Sequence, residues 1–230
     1  MKLSTKLLII LSLFLVGCIF ATNILLKKEY DTLDLKDPYR NYETVLEKPF
    51  KHVKVVGNNS ESCKVQFEHG ASYKVLKLKE AMANNRFETS YSVQNDTLFV
   101  RVKALQQRYR YDDLLHITAP SVSSFVLDSA DLNINNWWQK DLHITMLDMS
   151  ELKVTTDSSN LNLNTVFLDS YGSKATFICR EINTLQGNLK KGSNVSLKEV
   201  DVKKLDIQMT DDNSSNIELS DKTIKNMMRK

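Results

Sequence analysis

Two sets of side chains in this sequence have the types and spacing to do chemistry. The first is a run of carboxylates, Asp128, Asp148, Asp169 and Asp206, each directly after a leucine, with Gln186 in the fourth place. Stacked on strands about 5 Å apart, they would repel one another and form a column able to hold Ca²⁺ or to act on an acidic polysaccharide. Gln186 interrupts that column, Lys153, Lys174 and Lys204 stand near it, and the glycines of calcium-binding repeats are missing. A solvated column beside an apolar one is the simpler account. The second set is Trp137-Trp138, the only tryptophans, placed after the polar run Asn133–Asn136. Neighbouring strand residues face opposite ways, so at least one indole is expected outward, where it could stack on a sugar or dock a partner. Trp137 and Trp138 are the candidate ligand-contact residues, and Arg108-Tyr109-Arg110-Tyr111 is a weaker one of the same kind.

Other chemistry is not signalled. His52, His69, His116 and His143 lie far apart in sequence with no cysteine or carboxylate cluster, so no metal site is assigned. Cys63 and Cys179 fall in different halves of the chain and read as small buried hydrophobes rather than a disulfide. No Gly-x-Ser-x-Gly, phosphate loop or dinucleotide fingerprint is present. No catalytic residue and no cofactor is therefore assigned. The net charge of +3 and the lack of a basic-aromatic reader motif argue against nucleic acid.

The elements that would position these residues repeat. Val126 to Ile134 lies over Met146 to Val154 at an offset of 20, and the leucine before each acid or amide returns as Leu168, Leu185 and Leu205. Turn clusters follow, and after them come short alternating strands: Leu132/Ile134, Leu152/Val154, Ala175/Phe177, Val195/Leu197 and Ile217/Leu219. One such rung has a single apolar face and buries it only by stacking on the next. With no helical periodicity between strands, the expected fold is all-β: a parallel β-helix or β-solenoid in which Leu127, Leu147, Leu168, Leu185 and Leu205 form an inner column. The alternative is a meandering antiparallel sandwich.

Lys2 and Lys6 precede an uncharged run, Leu7 to Leu26, closed by Lys27-Lys28. Twenty apolar residues suffice to cross a bilayer as a helix, whereas a cleaved signal has a core of roughly 7–15 residues. Leu15-Val16-Gly17-Cys18 also resembles a lipoprotein box with Cys18 as the lipidated residue, although the apolar run continues past it. An uncleaved anchor is favoured, and either reading leaves the body outside the cytoplasm. The expected organisation is 1–28 anchor or signal segment, 29–49 spacer, 50–219 β-helix domain (50–120 irregular strands, 121–219 repeating rungs) and 220–230 basic tail. Asn95-Asp96 marks a turn between strands at Phe87–Val93 and Thr97–Lys103, and Lys79–Asn85 suits a helical turn.

The order of an N-terminal anchor, the opening strand Pro49-Phe50-Lys51-His52-Val53-Lys54-Val55, the strand Thr97-Leu98-Phe99-Val100, the step Ile117 to Pro120, and Ser/Gly-centred rungs resembles the family described as "putative auto-transporter adhesin, head GIN domain", over about residues 45–219. Gly172-Ser173 and Gly192-Ser193 match its turns, while the first two rungs have serine without glycine. The resemblance implies a right-handed β-helix, a bacterial envelope location and no catalytic residues. On this reading the chain is a membrane-anchored, exported, non-enzymatic module for binding, adhesion or scaffolding. Its partners would be the membrane through residues 7–26 and a surface glycan or envelope protein. The alternative is a β-helix polysaccharide lyase or hydrolase, which would need two carboxylates, or a carboxylate with Arg or Lys, meeting in one groove.

Overall fold

A computed structural model describes residues 3–32, 37–58, 63–79, 87–105, 111–156, 162–198, 200–210 and 214–228. The chain divides into two compact units, Met1–Asn41 and Tyr42–Lys230. The first unit holds helix α1, Leu3–Thr32. Its apolar side chains are exposed, as in Phe14, Ile19, Phe20 and Ile24, and its stretch Ile10–Asp31 is long and apolar enough to cross a membrane. The helix runs through Cys18 without a break, and the Thr22 hydroxyl donates back to the Cys18 carbonyl.

Among its described residues, the second unit is built mainly of strands and turns, with a short helix near its end. In chain order its strands are β1 Tyr42–Leu46, β2 His52–Val56, β3 Cys63–His69, β4 Lys74–Leu78, β5 Phe87–Gln94, β6 Thr97–Ala104, β7 Tyr111–Ala119, β8 Ser124–Asp128 and β9 Asp131–Trp137. They continue as β10 Asp141–Leu147, β11 Glu151–Thr156, β12 Leu163–Tyr171, β13 Lys174–Ile178, β14 Glu181–Lys190, β15 Asn194–Leu197, β16 Asp201–Met209 and β17 Asn216–Leu219, followed by helix α2, Asp221–Met228. A nine-stranded sheet runs β1-β4-β7-β3-β9-β11-β13-β15-β17 and an eight-stranded sheet runs β16-β14-β12-β10-β8-β2-β6-β5. From β8 onward successive strands alternate between the sheets, each parallel to the strand two further on.

This corrects the expected parallel β-helix: the body is two large mixed sheets, not a closed solenoid. β1 pairs antiparallel with β4, β4 with β7, and β5 with β6. The local cause is clear at β5–β6. Asn95 and Asp96 sit at φ 48° and 59°, the pair of left-handed residues that a tight hairpin turn needs, so the chain doubles back instead of crossing over. β1 arises inside the stretch expected as a spacer, and of the helical turn expected over Lys79–Asn85 only Lys79, which is helical, is among the described residues.

The core lies between the sheets, where Phe67 of β3 meets Phe125 of β8 edge-on at 4.9 Å. On the nine-stranded sheet Val65, Leu132, Leu152, Ala175, Val195 and Ile217 are in register, as the alternation predicts. On the eight-stranded sheet the expected leucine column is shifted. Leu127 pairs with Met146, Leu168 with Ile144 and Gly187, and Leu185 with Val166 and Leu205. Leu147 points outward, 37% exposed, beside Asp128.

The turn-cluster serines are internal stitches. The Ser150 hydroxyl accepts from Ala130 N–H at 3.3 Å and donates to the Leu147 carbonyl at 2.6 Å, and Ser173 repeats the motif toward Ser150 N–H and the Tyr171 carbonyl. They satisfy backbone groups that the turns would leave buried and unpaired. α2 is N-capped by Ser220, and its buried Thr223 bonds Val202 N–H and the Val200 carbonyl, closing the last strands.

Candidate functional site

Trp137 is fully buried. It packs against Phe125 and Trp138 with ring centroids 5.7 and 5.0 Å away, so it offers no surface to a ligand. Alternation along β9 puts it on the inner face with Leu132 and Ile134. Trp138 is half-buried, donates from Nε1 to the Pro120 carbonyl at 3.0 Å, and carries the exposed His69 ring at 4.5 Å. Residues 106–110, which include most of the Arg-Tyr candidate, lie outside the described residues.

The four aspartates form no column. Asp128 pairs with Leu147, Asp148 sits in a turn at φ 35°, Asp169 stands between Thr145 and Asn188, and Asp206 pairs with Gln186. No group of three metal-ligating side chains occurs among the described residues. His52 Nδ1 lies 2.8 Å from Ser124 Oγ on the next strand. That is the distance a nucleophile and its base require, yet among the described residues no third group orients the imidazole, and the pair sits on an open sheet. Cys179 is a free buried thiol whose burial pushes its pKa up to about 12, which makes it unreactive.

The outer faces of the two sheets differ. Both carry cross-strand ion pairs, Lys174–Glu151 at 3.5 Å and Lys198–Glu218 at 3.2 Å on the nine-stranded sheet, Lys203–Glu181 at 2.6 Å and Lys103–Glu88 at 3.9 Å on the eight-stranded one. On the former His116 also lies 3.2 Å from Glu68, and Asn135 donates to Gln66 at 2.8 Å. The outer face of the eight-stranded sheet carries exposed apolar side chains, Phe99, Leu147 and Phe167. Around Phe167 the parallel register lays outward residues of three strands into a grid. His143, Thr145 and Leu147 come from β10, Phe167, Asp169 and Tyr171 from β12, and Gln186, Asn188 and Lys190 from β14.

His143 stacks on Phe167 with centroids 4.2 Å apart and planes 10° apart. Asp169 Oδ1 accepts from Asn188 N–H at 3.1 Å and from Asn188 Nδ2 at 2.7 Å. Lys191 Nζ lies 4.4 Å from the Tyr171 ring centre. Between these side chains opens a depression of about 280 Å³ lined by Thr145, Leu147, Asp169, Tyr171, Asn188 and Lys190, with Met146 and Ser170 between them. That volume is just below the usual range for small-ligand sites, about 300–1,000 Å³. Its chemistry is recognition: aromatic surface, hydroxyls, an amide, one carboxylate and one ammonium, with no convergent acid–base pair.

Gly187 shapes this region from below. A Cβ there would meet the Leu168 carbonyl oxygen at 2.0 Å, so β14 approaches β12 closely at this point, and the backbone N–H of Asn188 bonds the Asp169 side chain.

No family model matches the chain, and no curated protein sequence matches it. Among solved structures, the chain is similar to a "putative adhesin" from Parabacteroides distasonis at 9% identity, covering 73% of this chain and 77% of that one, with a TM-score of 0.45. A "putative adhesin" from Bacteroides fragilis follows at 11% identity, 74% and 92% coverage and TM-score 0.40. A "putative lipid binding protein" from Parabacteroides distasonis shows 10% identity, 77% and 95% coverage and TM-score 0.29.

Proposed function

We propose that this chain is an exported, membrane-tethered binding module without catalytic activity, and that the outer face of its eight-stranded sheet is its working surface. The observation that carries this reading is the contrast between the two outer faces. Ion pairs cross both faces, but among the described strand residues only the eight-stranded sheet exposes large apolar side chains, Phe99, Leu147 and Phe167, and it also holds the depression that Leu147 lines. Exposed large apolar side chains gathered on one face of a rigid sheet expose area that a monomer gains by covering, which favours a contact surface. The apolar helix α1 supports the tether and the export. Adhesion or scaffolding outside the cytoplasm is the role that fits both features. A hydrolase or lyase of a polysaccharide would use paired carboxylates facing one groove; in the depression Asp169 is joined instead by the amide of Asn188.

Site-specific photo-cross-linking tests the reading. The full chain is expressed in its own host with benzoylphenylalanine replacing Phe99, Phe167 or, as a control, Thr176 on the nine-stranded sheet. Cross-linked products from positions 99 and 167 but not 176 are expected. Equal yields from all three positions, or products only from 176, would refute it.

A further inference from the structure

We infer that the grid around Phe167, Asp169 and Tyr171 is a binding site for an uncharged glycan chain; this rests on reading the eight-stranded sheet's outer face as the working surface. The geometry suits a chain of sugar rings. Phe167 and Tyr171 point outward from the same strand four residues apart, about 13 Å at the rise of an extended strand. Asp169 lies between them. A pyranose ring has apolar C–H faces that pack on the electron-rich face of an aromatic ring, and a rim of hydroxyls that must be hydrogen-bonded at the same time. One face of Phe167 is stacked on His143, and Lys191 lies over the Tyr171 ring. Each aromatic side chain therefore offers a sugar its remaining face and edge, with a polar centre between them on one strand.

The polar centre has bonding capacity to spare. Both bonds from Asn188 go to Oδ1 of Asp169, so Oδ2 has no partner among the described residues. A carboxylate is acceptor-only and calls for donors, which sugar hydroxyls supply. The Thr145 and Tyr171 hydroxyls and the Lys190 ammonium, all lining the depression, likewise carry no hydrogen bond or ion pair among the described residues. An acceptor, two hydroxyls and an ammonium around one shallow depression complement a polyol.

Charge selects the class. With histidine neutral, the nine grid residues carry Asp169 and Lys190, and Lys191 beside them is held over the Tyr171 ring, so the surface presents no run of cations. An acidic polysaccharide would call for an excess of unpaired cations and would meet the Asp169 carboxylate directly. A protein partner would need a contiguous interface of about 800 Å² on this side. Here the exposed apolar side chains are separated by polar ones, and the depression has room for only one or two sugar rings.

Calorimetric titration of the full chain in polyoxyethylene detergent, which has no sugar headgroup, provides the test. The probes are cellohexaose, maltohexaose, xylohexaose and chitohexaose, with polygalacturonate as the acidic comparator. At least one neutral hexasaccharide should bind with a Kd below about 1 mM. Phe167→Ala and Tyr171→Ala should each weaken that binding at least ten-fold at unchanged melting temperature, and Thr176→Ala on the other sheet should leave it as it is. Should Phe167→Ala prove unstable, Phe167→Leu keeps the bulk and removes the ring face, and the same loss is expected. Binding to polygalacturonate alone, no binding to any neutral hexasaccharide, or binding untouched by both aromatic substitutions would overturn the inference. Cross-links from Phe99 and Phe167 without saccharide binding would sink this inference and leave the proposed function standing. Loss of the contrast with Thr176 would sink the proposed function itself.

Discussion

Replacing Trp137 measures how the two sheets are held together. Its indole is fully buried between β3 and β8, in contact with Phe67, Phe125 and Trp138. Truncating a buried tryptophan to alanine costs about 3–5 kcal/mol, aromatic contacts included. Its Nε1 has no hydrogen-bond partner among the described residues, and removing a buried, unpaired donor returns about 1 kcal/mol. Trp137→Ala should therefore cost about 3 kcal/mol. Trp137→Phe keeps a ring against Phe125, leaves a smaller cavity and also relieves the donor, so it should cost about 1 kcal/mol or less. The assay is urea unfolding of residues 42–230, which form their own compact unit, followed by circular dichroism and by the fluorescence of the remaining Trp138. With a slope of about 2–3 kcal/mol/M the alanine variant should unfold at a midpoint about 1–1.5 M lower. A shift below about 0.3 M, or a phenylalanine variant as damaged as the alanine one, would show that the indole is not the inter-sheet packing unit described here.

Leu168 is fully buried in register with Ile144 and Gly187, so Leu168→Asp should abolish the cooperative urea transition. Leu147→Asp, on the outer face, and Asp169→Asn, which keeps an oxygen for Asn188, should each stay within about 0.5 kcal/mol by the same assay. Gly187→Ala forces a Cβ to within 2.0 Å of the Leu168 carbonyl oxygen at φ +145°, and its melting temperature should fall by more than that of any other single methyl addition on this sheet. Cys179 gives a pH signature. Its pKa rises from 9.0 in the unfolded chain to about 12 in the fold because burial penalises the thiolate. The folded state holds the proton more tightly, so this contribution is whole below pH 9 and is lost as pH climbs from 9 toward 12. Melting temperature should therefore fall more steeply above pH 9 in the parent than in Cys179→Ala.

What was legible in the sequence was the local pattern. The alternation of Leu132/Ile134, Leu152/Val154 and Ala175/Phe177 carries directly into the nine-stranded sheet, because each pair follows a short turn that resets the register. The Asn95-Asp96 hairpin was equally visible, since few sequences hold two successive left-handed residues. The Leu-Asp ladder misled because the turns after those leucines differ in length. Two residues, Ser129-Ala130, join β8 to β9, but three, Asp148-Met149-Ser150, join β10 to β11, and so Leu127 falls opposite Met146 rather than Leu147. A slip of one residue turns a side chain to the other face, which is why Leu147 is outside. The same slip hid the candidate site. His143, Phe167 and Asn188 come from three strands and share a surface only once the register is known. Trp137-Trp138 drew attention through rarity, yet rarity carries no information about which face a strand turns inward.

The central claim is that ligand meets the outer face of the eight-stranded sheet at the Phe167 grid. Amide and aromatic NMR shift mapping of residues 42–230, titrated with the hexasaccharide that binds best, addresses it most directly. The largest shifts should gather at His143, Thr145, Phe167, Asp169, Tyr171 and Asn188, with Lys153, Thr176 and Ser196 on the nine-stranded sheet unmoved. Shifts concentrated on the nine-stranded sheet, or centred on Trp138 and His69, would contradict it.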